Sequence, residues 1–302
     1  MFEDLTIGWV GLGKMGRPMS RRVYEAGARV FVTSRNQAAV DEMVGYGLQG
    51  VASPRDAARN ADIVIVTSFD ATSVRAVLTG EDGIVAGIRQ RGLVIDMGTT
   101  DVAATREFAH MVEAHGGSYL DAPVSGGTGG AADGSLTIMV GGDAADLQRA
   151  MRIFSVLGKH VTHVGPVGAG QVAKAANQVI VGLTIAAVAE ALALAARAGV
   201  DLAKTREALQ GGFADSRILR EHGLRMIEGN YAPEGTIAVQ RKDMRQALSL
   251  AKSVGLQMPI TTLVAERFDA VAACGYDRLD QSAFFKLMES ADGRFFLDAR
   301  KT

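Results

Sequence analysis

The chain is poor in the residues that staple small folds. Its 302 residues include one cysteine, Cys274, which excludes an intrachain disulfide and a cysteine-based zinc site and suits a reducing compartment, the cytoplasm. Charge of either sign is not in excess. Lys and Arg number 32 against 33 Asp and Glu, a formal net charge of −1, so neither nucleic acid nor an anionic membrane surface is expected as partner. The opening Met1-Phe-Glu-Asp-Leu-Thr carries acid and no basic segment, so no secretory leader is expected. Repeats, low-complexity tracts and charge blocks are lacking too. One long apolar run stands out, from Val179 to Ala196, long enough to reach the membrane-spanning threshold. Glu190 interrupts it and alanine dominates its second half, which reads as the buried central helix of a soluble domain.

What is there begins with Leu5–Val10, a short run of strand formers followed at once by Gly11-Leu12-Gly13-Lys14-Met15-Gly16 and then by helical spacing from Arg17. A G-x-G-x-x-G between a strand and a helix is a dinucleotide-binding turn: Gly11 for the tight bend, Gly13 for close approach of a pyrophosphate, Gly16 for helix–strand packing. After the second strand, Arg29–Thr33, an acidic residue would read the ribose of NAD(H). This chain has Ser34-Arg35-Asn36 instead. A hydroxyl and a guanidinium fork suit a 2′-phosphate, so NADP(H) is favoured, with NAD(H) as the alternative.

Asp62–Thr67 and Leu93–Met97 are continuous apolar runs, the pattern of parallel strands buried on both faces. The turns after them place Ser68 and Thr99 among candidates to line the cofactor, while Asp70, Thr100 and Asp101 suit helix caps. Next, Ser118–Asp121 runs into Ser125-Gly126-Gly127-Thr128-Gly129-Gly130, a glycine-rich loop before the strand Leu136–Val140. It reads equally as an anion-holding nest of backbone N–H groups and as a plain connection. Val161–Val164 looks like a last strand. The breakers from Gly165 to Gly170 then divide a dinucleotide-binding domain over 1–164 from an all-helical domain over 165–302. In that second half Asp201 caps a helix, Asp215–Met226 forms another, Gln240 opens a third, Pro259 a fourth, and Phe284–Met288 the last. The helix beginning after Gly168 places Lys174, Asn177 and Gln178 on one face by 3.6-residue spacing. A lysine at such a point either snorkels to solvent or is buried for a purpose.

Four segments in this order, Gly11–Gly16, Asp121-Ala-Pro-Val-Ser125-Gly126-Gly127, Gly170-Gln-Val-Ala-Lys174-Ala-Ala-Asn177-Gln178 and Lys242-Asp243, resemble the β-hydroxyacid dehydrogenases over nearly the whole chain. Lys174–Gln178 and Gly211–Ser216 are most similar to the tartronate semialdehyde (2-hydroxy-3-oxopropionate) reductase branch, whose members often carry an acidic residue where this chain has Ser34. The resemblance implies a Rossmann-like doubly wound α/β domain followed by an all-α domain on a long central helix. It also implies an NAD(P)-dependent oxidoreductase interconverting a small aldehyde acid and a 3-hydroxy acid. Lys174 then matches the catalytic lysine. Ser125, Gly126 and Gly127 hold the substrate carboxylate, Asn177 and Gln178 contact substrate, Lys242 lies near cofactor and substrate, and Thr99 touches cofactor. A homodimer or homotetramer is the expected assembly. Alternatives within the family are 3-hydroxyisobutyrate dehydrogenase and reductases of succinic semialdehyde or glyoxylate. Imine reductases and a non-catalytic dinucleotide-binding module are more distant ones. No metal ligand set is expected.

Overall fold

Strand β4, Ile63-Val-Ile-Val66, shows how the first half is built. Ile63 and Ile65 pack into one apolar cluster, Val64 and Val66 into another. Alternate side chains leave opposite faces of a strand, so a strand apolar at every position sits in a sheet covered on both sides. A computed structural model describes residues 5–288; Met1–Asp4, part of the segment from which the lack of a leader was argued, lie outside it.

In chain order the elements are β1 (Thr6–Val10), α1 (Gly16–Glu25), β2 (Arg29–Thr33), α2 (Gln37–Gly45), β3 (Gln49–Gly50), α3 (Pro54–Arg59), β4, α4 (Ala71–Thr79), β5 (Leu93–Asp96), α5 (Val102–Glu113), β6 (Ser118–Asp121), β7 (Val124–Ser125), α6 (Gly127–Asp133), β8 (Leu136–Gly141), α7 (Ala144–Leu157) and β9 (Gly158–Gly165). Helices α8 (Ala169–Arg197), α9 (Leu202–Leu209), α10 (Arg217–Glu228), α11 (Ile237–Ser253) and α12 (Pro259–Val271) follow, then a 3₁₀ segment over Gln281–Met288. The sheet order is β3-β2-β1-β4-β5-β6-β8-β7, with β9 beside β8. Strands β1 to β6 run parallel and β6 meets β8 antiparallel. This is the doubly wound Rossmann-like domain, and only helical elements longer than an isolated bridge follow it among the described residues.

Three local readings change. The glycine-rich stretch after Ser125 is not a loop. Val124–Ser125 pairs with Ile138–Thr137, and after Gly126 (φ +134°) and Gly127 (φ +66°) turn the chain, small residues wind into α6. Helix α11 starts at Ile237, not Gln240, because the Thr236 hydroxyl accepts the Val239 N–H and caps it. Helix α10 starts at Arg217, not Asp215, because the Ser216 hydroxyl accepts the Leu219 N–H and caps it.

The chain forms two compact units that divide between Lys174 and Ala175, inside α8. The reason is physical: the start of α8 is tied to the end of β6, as described below. The second unit has its own core, in which Ile185, Ala189 and Leu192 of α8 pack with Met244, Phe268 and Phe284. The rings of Phe268 and Phe284 lie 4.7 Å apart, centre to centre. Helix α8 is long and apolar enough to cross a membrane by length and composition, yet only 33% of its most apolar window is buried in the chain. Ile180 and Leu194 stand exposed on it.

Candidate active site

The turn after β1 fits a dinucleotide. Gly11 adopts φ +102°, and a Cβ there would lie 2.7 Å from the Thr67 carbonyl oxygen. At Gly16 a Cβ would fall 2.1 Å from the Gly11 carbonyl oxygen. At Gly13 a Cβ would meet nothing within 4 Å. The first and last glycines are thus required by the protein's own packing. The middle one leaves bare a space that the protein does not fill, as close approach of a pyrophosphate demands. No side chain caps α1, whose N-cap is Met15, so its N-terminal N–H groups face that space unblocked by a side-chain acceptor. Lys14 lies within the same turn. At the end of β2, the Asn36 N–H donates to Ser34 Oγ (3.3 Å). Arg35 is exposed and makes no ion pair among the described residues. Ser68 and Gly98, in the turns after β4 and β5, abut so closely that a Cβ on Gly98 would be 2.5 Å from the Ser68 carbonyl oxygen. Thr99 is half-buried beside them, whereas Asp70 and Asp101 cap α4 and α5.

From these strand ends a buried polar chain runs to α8. Asp96 Oδ2 accepts from the Thr100 hydroxyl (2.8 Å) and the Tyr119 hydroxyl (3.3 Å), and Oδ1 from the Gly98 N–H (2.8 Å). The Thr100 N–H donates to Gln171 Oε1 (3.1 Å), and Gln171 Nε2 donates to the Gly98 carbonyl (3.0 Å). Asp121, at the end of β6, accepts from the Gly168 N–H through Oδ1 (2.7 Å) and from the Gln171 N–H through Oδ2 (2.8 Å). It thereby satisfies the N-terminus of α8, which supplies no such cap of its own. Gly170 and Gly141 make the approach feasible, since a Cβ on either would fall within 3 Å of Asp121. Burial pushes the Asp121 carboxyl up to about 6, against the pull of those two backbone N–H groups, and Asp96 adds to the rise. The Tyr119 hydroxyl is held well above its ordinary value by burial and by the same two carboxylates.

Lys174 follows on this anchored helix and is 7% exposed. That figure decides against a lysine snorkelling to solvent. In the same unit, Gly127 and Gly129 have open space where a Cβ would be, whereas Gly126 and Gly130 face Leu136. The turn after Ser125 therefore presents bare backbone at Gly127 and Gly129, a surface on which N–H groups can meet an anion.

The second unit carries a second buried network. Asn177 Nδ2 donates to Gln178 Oε1 (2.7 Å), and Gln178 Nε2 donates to Asp243 Oδ2 (2.5 Å) and Gln240 Oε1 (3.2 Å). Gln240 Nε2 donates to the Gln178 main-chain carbonyl (2.9 Å). Lys242 Nζ pairs with Asp243 Oδ1 at 2.9 Å. Asn177, Gln178 and Lys242, singled out from the sequence, are thus joined through Asp243. Sequence reasoning passed over Gln171, Gln240, Asp96 and the roles of Asp121 and Asp243. The signal for the last was present: Gln240 and Asp243 share a helical face at i, i+3, as Lys174 and Asn177 do. Among the described residues no cluster of His, Cys, Asp and Glu could hold a metal.

A family model for the NAD-binding domain of 6-phosphogluconate dehydrogenase matches residues 6–165. One described as the NAD-binding domain of NADP-dependent 3-hydroxyisobutyrate dehydrogenase matches residues 168–288. The chain is 42% identical to 2-hydroxy-3-oxopropionate reductase of Escherichia coli over 94% of its length and 97% of that protein's. It is 33% identical to 3-hydroxyisobutyrate dehydrogenase of Pseudomonas aeruginosa over 95% and 99%. The solved structure of Mycobacterium tuberculosis 3-hydroxyisobutyrate dehydrogenase with L-serine superposes with a TM-score of 0.88 at 30% identity, covering 96% of this chain and all of that one. Imine reductases share the fold at 18 to 21% identity.

Proposed function

Because the chain belongs to the β-hydroxyacid dehydrogenase family of NAD(P)-dependent oxidoreductases, we propose that it reduces 2-hydroxy-3-oxopropionate to the 3-hydroxy acid, reversibly and with NADPH. The observation that carries the reading is a buried Lys174 on a helix anchored at its start by Asp121, in a chain 42% identical to the E. coli reductase. A bound nicotinamide supplies the hydride, so the protein has to orient the substrate and handle one proton. Lys174 Nζ donates that proton to the carbonyl oxygen as the hydride reaches carbon, and takes it back in the oxidative direction. The Ser125–Gly127 turn binds the carboxylate and so fixes which carbon is presented. Asn177 hydrogen-bonds the substituent on carbon 2.

NADPH over NADH is supported by the absence of an acidic residue at Ser34-Arg35-Asn36 and by the exposed guanidinium of Arg35. Exposed Ile180 and Leu194 on α8 support self-association, since apolar surface of that kind is ordinarily covered. The single cysteine suits the cytoplasm. A spectrophotometric panel of 3-oxo acids and 3-hydroxy acids, run with NADPH and NADH in parallel, tests the reading. It expects the highest kcat/KM with 2-hydroxy-3-oxopropionate and NADPH. Absence of turnover on any 3-oxo acid contradicts it.

A further inference from the structure

Asp243 fixes the direction of two carboxamides. Its carboxylate, ion-paired with Lys242 at 2.9 Å, only accepts hydrogen bonds. The Gln178 atom 2.5 Å from Asp243 Oδ2 is therefore the nitrogen of its amide. That leaves Gln178 Oε1 toward Asn177, which has to answer with Nδ2, at 2.7 Å. The arrangement is braced a second time. Gln240 accepts the other Gln178 amide proton and donates to the Gln178 main-chain carbonyl. Gly182 leaves room for the Gln240 amide in this position: a Cβ there would lie 2.7 Å from Gln240 Nε2. Gln178 and Gln240 are buried, and Asp243 is 3% exposed, so water cannot easily offer substitute partners. At the end of this chain Asn177 is half-buried, and its Oδ1 accepts no hydrogen bond among the described residues.

We propose that Gln178, Gln240 and Asp243 are positioning residues that lock the Asn177 carboxamide with its oxygen toward substrate, so that the enzyme selects 3-hydroxy and 3-oxo acids whose carbon-2 substituent donates a hydrogen bond. A hydroxyl or an ammonium meets that oxygen; a methyl leaves it unpaired. The inference rests on the proposed function, in which Asn177 faces carbon 2. It assigns Gln178 a different task from direct substrate contact: its amide groups are engaged by Asn177, Gln240 and Asp243. Sites built to hydrogen-bond a substrate group reject analogues lacking it far more strongly than apolar pockets reject a missing methyl.

The test compares kcat/KM for glycerate and for 3-hydroxyisobutyrate, which differ in a hydroxyl or a methyl at carbon 2, in the full-length protein with NADP⁺. Wild type is expected to favour glycerate by about tenfold or more. Gln178→Met removes the relay and Asp243→Asn lets the amides turn over; each is expected to reduce that preference by about tenfold. Asp243→Glu, which keeps an acceptor-only group, restores part of it. General structural damage lowers both substrates together and leaves the ratio alone. An unchanged ratio in the variants overturns the proposal while leaving the proposed function standing. A wild type that favours the methyl substrate overturns it without recourse to any variant. A wild type that turns over neither substrate removes the proposed function and this inference with it.

Discussion

The carboxylate of Asp121 is buried, and it nonetheless holds the first turn of α8 through two backbone N–H groups. Its ionisation therefore enters the stability of the helix that carries Lys174. The folded state raises this carboxyl from the ordinary 3.8 to about 6, so the folded chain binds the proton more tightly than the unfolded one. Stability from this group is greatest below the unfolded value and is lost as pH rises through about 4 to 6, by about 3 kcal/mol in all. Denaturation of wild type and Asp121→Asn across that range should show the slope in the first and its loss in the second. Parallel slopes would contradict the assignment. Arg35 makes a second prediction at this scale. If NADPH is the cofactor as proposed, Arg35→Glu replaces the guanidinium offered to its 2′-phosphate by an acid and is expected to lower the NADPH:NADH ratio of kcat/KM by about tenfold or more; an unmoved ratio would show that Arg35 is only a solvated loop residue. Lys174, Asn177 and Gln178 were legible as candidates because they are polar, share one face and precede a long apolar run. Asp243, Gln240 and Gln171 were not, because a buried amide or acid declares itself only through partners far away in sequence, such as Gln178 for Asp243 and Thr100 for Gln171.

Among the elements, the turn after β1 separates fold from function within six residues. Gly16→Ala forces a Cβ onto the Gly11 carbonyl oxygen and should destabilise the domain by about 1–3 kcal/mol or more. Gly13→Ala meets open space. It should leave thermal stability within about 0.5 kcal/mol of wild type while sharply weakening NADPH binding, measured by fluorescence titration. Equal loss of stability in both would contradict the reading of Gly13 as the cofactor's clearance. Strands such as β4 could be read directly, because burial on both faces makes every residue apolar and the run itself marks the element. Helix α6 could not, because its glycines are uninformative about helix or loop until the positive φ of Gly126 and Gly127 is known. Breakers show where a chain bends, whereas the unit boundary follows which residues pack together, and Asp121 draws the start of α8 to the sheet.

For the whole molecule, α8 is the longest described helix, and it carries both the candidate lysine and exposed apolar side chains. It is apolar enough to be mistaken for a membrane span, and Ile180 and Leu194 are 66% and 72% exposed in a single chain. Burying a side chain of this size contributes about 1.5–3 kcal/mol, so covering both on each of two chains would favour the self-association proposed above, against the entropic cost of association. Ile180→Glu combined with Leu194→Glu should shift the mass measured by light scattering from oligomer to monomer, and an unchanged oligomer would place the interface elsewhere. The central claim concerns the lysine near the start of that helix. It is tested most directly by measuring NADPH oxidation with 2-hydroxy-3-oxopropionate in Lys174→Ala, alongside a titration of NADPH binding to the same protein. Loss of the proton donor should lower kcat by about 10²–10⁴-fold with NADPH affinity nearly intact; turnover close to wild type would contradict the account.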